Sequence, residues 1–210
     1  MQSKENIAII GAGKVGQALG SRFVQSGIEC SFGARKPASE LGELARLGAV
    51  LPLEEAAQKA SILFLAVPGD IAVEATEALG NLEGKVLVDC TNPLHWEQGP
   101  VWDPPVEGST AAALARVLPG ALVVKAFNTF GAEFHGDPRT QSGPVDVYMA
   151  SDSQEAKRRV AALAEQSGFR PLDAGPLRNA GLLENLAVLW IHMAMVGGQG
   201  RQVAFKLVGR

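Results

Sequence analysis

Asn6-Ile-Ala-Ile-Ile-Gly11-Ala-Gly13-Lys-Val-Gly16 is the stretch on which the fold turns. Ile7, Ala8, Ile9 and Ile10 form a short apolar run of the kind a buried parallel strand presents. It leads directly into G-x-G-x-x-G and then into residues 17–25, which read as a helix. Each glycine has a task in that setting. Gly11 turns the chain off the strand, Gly13 lets backbone come close to a pyrophosphate, and Gly16 lets the helix pack against the sheet. The helix N-terminus adds unpaired N–H groups and a partial positive charge. Gly11, Ala12, Gly13, Lys14, Val15 and Gly16 therefore form the expected phosphate cradle. A chain with 24 glycines can produce such a pattern without a ligand. The order strand, glycines, helix within about 30 residues is what makes it a dinucleotide signal.

Outward from this stretch, residues 28–33 read as a second strand ending in Gly33-Ala34-Arg35-Lys36-Pro37. The adenosine ribose is read at such a tip, about 20 residues beyond the glycine loop, and an NAD site usually places a carboxylate there. Here stand Ala34, Arg35 and Lys36. A guanidinium can hold a 2′-phosphate through paired charge-assisted hydrogen bonds, whereas a carboxylate would repel it, so NADP(H) is the expected cofactor. Both cations can also be solvated side chains ahead of a helix, an alternative that fits Lys36 better than Arg35.

The rest of the chain alternates. A helix is expected over 38–47, with Leu41, Leu44 and Leu47 on one face, then a short edge strand at 49–51 and a helix at 53–59. An apolar strand follows at 61–67 and ends at Pro68-Gly69-Asp70. Next come a helix at 72–79, a strand at 85–89 leading to Thr91-Asn92, and a helix from 109 or 110 to 118. A strand from Ala121 runs to Ala126-Phe127-Asn128, with a strand at 144–150, a helix at 153–166 and a strand at 170–174 behind it. The economical assignment is an α/β, Rossmann-like, doubly wound and mainly parallel sheet, an NADP-binding domain over residues 1–176.

From Leu177 the pattern changes. Leu182, Leu183, Leu186, Leu189, Trp190, Met193 and Met195 recur at helical spacing, which makes residues 177–210 a small C-terminal helical extension that docks on the sheet or forms a subunit interface. His192, lying in that stripe, reads as a satisfied core residue. Carboxyl ends of strands line the ligand crevice of such sheets, which brings Val67, Pro68, Asn92, Ala126 and Asn128 toward the nicotinamide. Pro68 serves equally well as a helix initiator. Residues 93–108 contain four prolines and two tryptophans without periodicity, and read as a long loop forming a lid over that crevice.

At 47% hydrophobic and 20% charged, the 210 residues have globular composition, and a formal net charge of −3 gives no electrostatic case for nucleic acid. Cys30 and Cys90 have no metal-ligand spacing and read as reduced thiols, so no metal is expected. Met1-Gln-Ser-Lys-Glu5 enters a strand at once and no apolar run reaches the ~18 residues of a membrane span, so the expectation is a soluble, cytoplasmic chain without a membrane partner. Tyr148 has no lysine four residues on, and His95, His135 and His192 are scattered. No base is supplied for oxidising an alcohol. Hydride exchange between a nicotinamide and a second redox ring needs mainly stacking and exclusion of water, for which Pro68, Asn92, Ala126 and Asn128 are the positioning candidates.

Gly33-Ala-Arg-Lys36, Leu65-Ala-Val-Pro68, Asp89-Cys-Thr-Asn-Pro-Leu94, Val124-Lys-Ala-Phe-Asn-Thr129, Pro171-Leu-Asp-Ala-Gly-Pro-Leu177 and Leu183-Glu-Asn-Leu186 carry a resemblance over almost the whole chain. It is to the NADPH-dependent coenzyme F420 reductases and their bacterial relatives. The resemblance implies a Rossmann-like domain with a small helical part and a homo-oligomer, a dimer, built partly through that part. It also implies NADP bound by Gly11, Gly13, Gly16 and Arg35, with a deazaflavin ring against the nicotinamide as the small-molecule redox acceptor. Archaeal members carry serine where this chain has Ala34, and tend to carry histidine where it has Asn128. The Asn128 form also resembles the NADPH-binding domain of the STEAP metalloreductases, which pass hydride to a flavin, so FMN or FAD stands beside coenzyme F420 as acceptor. Two other readings remain. One is a small-imine reductase, similar at its glycine loop to the pyrroline-carboxylate reductases. The other is an NADP(H)-binding redox sensor without turnover.

Overall fold

Ile7–Ile10 forms strand β1, every residue of it buried. Its alternation serves two cores at once: Ile7 and Ile9 face a cluster with Leu19, Phe23 and Phe64, while Ala8 and Ile10 face another with Leu63, Leu65 and Leu87. This is why the strand is apolar throughout and not alternately polar. A computed structural model describes residues 5–209; residues 1–4, expected to lead into the first strand, lie outside them, as does residue 210.

After β1 come α1 (Lys14–Gln25), β2 (Cys30–Gly33), α2 (Gly42–Leu47), β3 (Val50–Leu51), α3 (Leu53–Lys59), β4 (Ile62–Leu65), α4 (Ala72–Glu77) and β5 (Val86–Asp89). They are followed by β6 (Leu94–Trp96), β7 (Pro100–Trp102), α5 (Thr110–Val117), β8 (Leu122–Lys125), α6 (Ala132–Gly136), β9 (Arg139–Thr140) and β10 (Gly143–Pro144). The chain continues with β11 (Asp146–Met149), α7 (Gln154–Gln166), β12 (Arg170–Asp173) and α8 (Ala180–Met195). The main sheet has six strands in the order β3-β2-β1-β4-β5-β8, all paired in parallel. Chain order reverses between β1 and β4, and a doubly wound sheet opens its ligand crevice at such a point. The parallel pair β11–β12 stands beside the main sheet, joined to it by an antiparallel bridge between Lys125 and Ala150. Phe23, Phe64, Phe127 and Phe169 stack edge to face in series, with centroids 5.0, 5.6 and 5.4 Å apart. Each such pair contributes about 0.5–1.5 kcal/mol beyond its buried area.

Two expectations about secondary structure are corrected. The single helix over 38–47 is interrupted at Leu41 (φ −121°, ψ 45°), where a short 3-10 turn over Ala38–Glu40 gives way to α2. Gly42 opens the second piece, and glycine holds a helix poorly. The long loop 93–108 contains the antiparallel hairpin β6–β7, with Leu94 opposite Trp102. Strands of three residues are too short to show a period, and Pro100 is tolerated because it faces an edge. Trp102 is half-buried against α8, whereas Trp96 is 52% exposed.

Helix α8 buries Ala180, Leu183, Glu184, Ala187, Trp190 and Ala194, one face at helical spacing, and Ala180 at its start joins the core cluster of Leu63, Leu87 and Leu114. Leu182, Leu189, Met193 and Met195 lie on its exposed side. His192 is exposed too, beside Gly99 of the hairpin turn, because it falls on the outer face; it is not a core residue. Beyond α8 the chain returns across the molecule. Trp190 Nε1 donates to Val203 O at 2.6 Å, and Leu207 N donates to Asp146 Oδ2 at 2.7 Å.

Candidate functional site

A crevice of about 710 Å³ runs along the carboxyl ends of β2, β1 and β4. Its middle is the glycine turn. Gly11 has φ +122°, and a Cβ there would collide with the Ala66 carbonyl, so only glycine lets the turns after β1 and β4 touch. Gly16 is buried with its Cα against the Gly11 carbonyl, which brings α1 down on the turn. A Cβ added to Gly13 would meet nothing within 4 Å: the backbone there faces open crevice. Gly13 is also the N-cap of α1, extended, with no side-chain cap and no acidic residue in the first turn. The first N–H groups of a 12-residue helix thus point to where an anion would sit, with no carboxylate competing.

The expected cofactor residues divide into groups. Gly11, Ala12, Gly13, Ala34, Arg35, Lys36, Val67 and Pro68 line the crevice together. Lys14 and Val15 form the first turn of α1 at its rim, Lys14 exposed. At the β2 end, Arg35 and Lys36 are exposed, and Lys36 Nζ lies 3.4 Å from Glu40 in an exposed i, i+4 pair. Leu41, Leu53, Ile71 and Ala75 make the flanking apolar walls, with Glu74 the charged residue on the α4 side. At the other end, Pro68 precedes a 3-10 turn over Gly69–Ile71, so it starts a helical turn as well as lining the crevice. Ala126 is not among the residues lining this crevice: it is fully buried, and its N–H continues the β5–β8 ladder to Asp89 O at 3.1 Å.

Asn92 and Asn128 lie past Pro68. Gly69 packs on the Asn92 carbonyl, linking the two turns. Asp89 and Lys125 are register partners at the ends of β5 and β8, and the same offset carries on to Asn92 and Asn128. There the side chains bond reciprocally. Asn92 Nδ2 donates to Asn128 O, and Asn128 Nδ2 donates to Asn92 Oδ1, both at 2.9 Å. Phe127, between the ladder and Asn128, is the sole non-glycine residue with positive φ (59°) among the described residues. Holding a bulky residue there costs about 1–3 kcal/mol. The neighbouring rings hold it, together with buried His135, whose Nε2 lies 2.9 Å from Phe127 O and whose Nδ1 lies 3.0 Å from Gly131 O. Burial pushes the His135 pKa down.

Sequence reasoning missed the charged cluster behind these asparagines. Lys125 Nζ lies 2.8 Å from Asp89 Oδ2 and 3.0 Å from Glu184 Oε1, and donates to Thr91 O at 2.5 Å; all three ionisable side chains are 0% exposed. Glu184 also accepts from Trp102 Nε1 at 3.2 Å and Thr110 N at 3.0 Å. One carboxylate thereby ties β8, the hairpin, α5 and α8 together. Burial drives the Glu184 pKa up. Burial pulls the Lys125 pKa down, but Asp89 and Glu184 more than reverse this, and its pKa lies above the ordinary lysine value. The signal was present: Asp89, Lys125 and Glu184 each interrupt an otherwise apolar run. Among the described residues no cluster of three His, Cys, Asp or Glu could hold a metal, and no helix is long and apolar enough to cross a membrane.

Residues 6–93 match the family described as NADP oxidoreductase, coenzyme F420-dependent. A crystal structure of a candidate F420-dependent NADP reductase from Arthrobacter sp. FB24 superposes with a TM-score of 0.88 at 29% identity, covering 98% of this chain and 100% of that one. Metalloreductase STEAP3 of Rattus norvegicus is 34% identical over 178 residues, 83% of this chain and 34% of that protein. The chain thus spans about a third of the length of the curated relatives it matches. A reductive aminase from Aspergillus terreus, solved with NADPH and ethyl levulinate, shares the fold at 19% identity and a TM-score of 0.69, covering 93% of this chain and 63% of that one.

Proposed function

Residues 6–93 match the family of coenzyme F420-dependent NADP oxidoreductases, and on that premise we propose that the crevice binds NADP(H) and passes hydride between the nicotinamide and a deazaflavin or flavin ring. The observation that carries the reading is the crevice itself. Two cations stand at the β2 end, an uncapped helix N-terminus and open backbone at Gly13 stand in the middle, and Pro68 leads on to the Asn92–Asn128 pair. Arg35, with Lys36 beside it, would hold the 2′-phosphate. The Gly11–Gly13 turn and the first turn of α1 would hold the pyrophosphate, and Val67 and Pro68 would back the nicotinamide.

The cofactor supplies the hydride; the chain supplies position. No histidine or acid–base pair lines the crevice, and ring-to-ring hydride transfer requires none beyond stacking and exclusion of water. Likeness to a metalloreductase over 83% of this chain supports an oxidoreductase, and the flavin implied by the STEAP resemblance is the alternative to the deazaflavin. The test is a titration with NADPH and NADH followed by hydride transfer to coenzyme F420, FMN and FAD. Tight NADPH binding with rapid transfer to one ring is the expected result. Binding without transfer to any of them would leave a redox sensor as the better account, and preference for NADH would remove the reading of Arg35.

A further inference from the structure

Among the described residues that line the crevice, the charged side chains are Arg35 and Lys36 at the β2 end and Glu74 on the α4 side. Two cations suit a ligand that carries phosphates, whereas a carboxylate facing the same ligand repels them. Glu74 is exposed, and its carboxylate has no hydrogen-bond or ion-pair partner among the described residues. It stands in the first turn of α4, where a negative charge favours the helix N-terminus. Ile71, Glu74, Ala75 and Ala78 recur at helical spacing, so this carboxylate shares a crevice face with three apolar side chains. On the β2 side stand Leu41 and Leu53, both half-buried. Leu53 marks the tip of β2, since a Cβ added to Gly33 would lie 3.5 Å from its side chain. Apolar walls on both sides suit a flat ring, with the carboxylate at hand for a polar group on that ring.

Resting on the nucleotide-binding reading given above, we propose that Glu74 accepts a hydrogen bond from the 6-amino group of the adenine and so selects adenine nucleotides over those whose base lacks that amine. The 2′-phosphate belongs to the adenosine ribose, so a phosphate held at Arg35 brings the base within one sugar of the β2 tip, where the apolar walls begin. The 6-amino group is the only N–H donor that adenine offers there, and a carboxylate is a charged acceptor for it. A repulsive charge in a phosphate site is thereby turned to the one edge of the base that welcomes it. A base with an oxygen at that position would set oxygen against carboxylate, and the crevice discriminates against it for that reason.

The test compares 2′,5′-ADP with purine riboside 2′,5′-bisphosphate, the same ligand without its 6-amino group. Each is titrated calorimetrically into the whole chain as wild type, Glu74→Gln and Glu74→Ala, and thermal melting checks that the variants are folded. Wild type is expected to bind the adenosine compound about tenfold more tightly than the purine compound. That gap narrows in Glu74→Gln, whose neutral carbonyl still accepts, and closes in Glu74→Ala. The loss falls on the adenosine compound alone. The purine compound binds Glu74→Ala no more weakly than wild type, because a carboxylate has been removed from a phosphate site. Equal affinities in the wild type, or a gap that survives in folded Glu74→Ala, overturn the proposal and leave Glu74 with its helix-end role, which a lower melting temperature with an unchanged gap would show. Failure of the wild type to bind either bisphosphate would overturn the nucleotide reading itself, and the proposal with it.

Discussion

Arg35 and Lys125 illustrate how the same charge acts in opposite surroundings. Arg35 is exposed at the crevice mouth, where a guanidinium costs little to keep and can recognise a phosphate. Arg35→Ala is expected to weaken NADPH by about 1.5–3 kcal/mol, the size of a charged hydrogen bond, and to leave NADH nearly unchanged. Equal loss for both nucleotides in a calorimetric titration would remove its phosphate role. Lys125 is buried between two carboxylates. Replacing it by methionine strands Asp89 and Glu184 without a counter-charge, and urea unfolding should show a loss of about 3–5 kcal/mol. Glu184→Gln keeps the shape and leaves Lys125 with Asp89, so its cost should be far smaller. Its sign depends on pH. Burial raises the Glu184 pKa in the folded state, so the native protein holds that proton more tightly than the unfolded chain does. This contribution favours folding at acid pH and fades as pH rises above the ordinary glutamate value. Relative to wild type, the glutamine variant should therefore gain stability as pH climbs through that window. A constant difference across it would contradict the linkage.

Among the elements, α8 carries the largest single test. Trp190 is 5% exposed, bonds Val203 O through Nε1 and has Arg201 over its ring at 5.7 Å, so it pins both the helix and the returning tail. Trp190→Ala should cost about 3–5 kcal/mol by thermal or urea unfolding; a loss under about 1 kcal/mol would mean the helix docks through its other residues. Much at this scale was legible in advance. β1, the glycine turn and the start of α1 follow from apolar residues and glycines at fixed spacing, and α3 spans the residues its periodicity indicates. What was not legible depends on contacts distant in sequence. The hairpin β6–β7 is too short for a pattern and owes its place to α8 more than to its own residues. The crevice residues on β1, β2 and β4 could be read from strand ends alone. The burial of Ala126 and the locking of Asn128 could not, because the first follows from the cluster it shares with Phe64, Phe127 and Val147 and the second from a bond to α8.

Across the whole molecule, ion pairs fasten the late elements to the early ones. Glu5, just ahead of β1, is bound by Arg159 of α7, whose hydrogen bond holds the carboxyl below the usual glutamate range. Burial pushes the Asp146 carboxyl up, but Arg170, the Leu207 N–H and Lys206 more than offset it, and its pKa lies below the ordinary value. For both groups the stabilisation is complete above the unfolded carboxylate pKa and is lost as pH falls through the lower folded value. Stability to urea should therefore hold from neutral pH down to the ordinary carboxylate range and drop below it. Asp146→Asn should lower stability at neutral pH and flatten that acid limb. An unchanged limb would assign the acid sensitivity to other carboxylates.

The tie from Lys125 to Glu184 also orders events during synthesis. A ribosome releases β1 through β8 before α8, so the emerging lysine can reach Asp89 but must wait for its second carboxylate. Throughout that interval the glycine cradle can already be complete while Asn128 still lacks the Leu183 carbonyl that holds its amide in place. The nascent chain thus completes the glycine turn of its crevice before the Asn92–Asn128 pair is fixed.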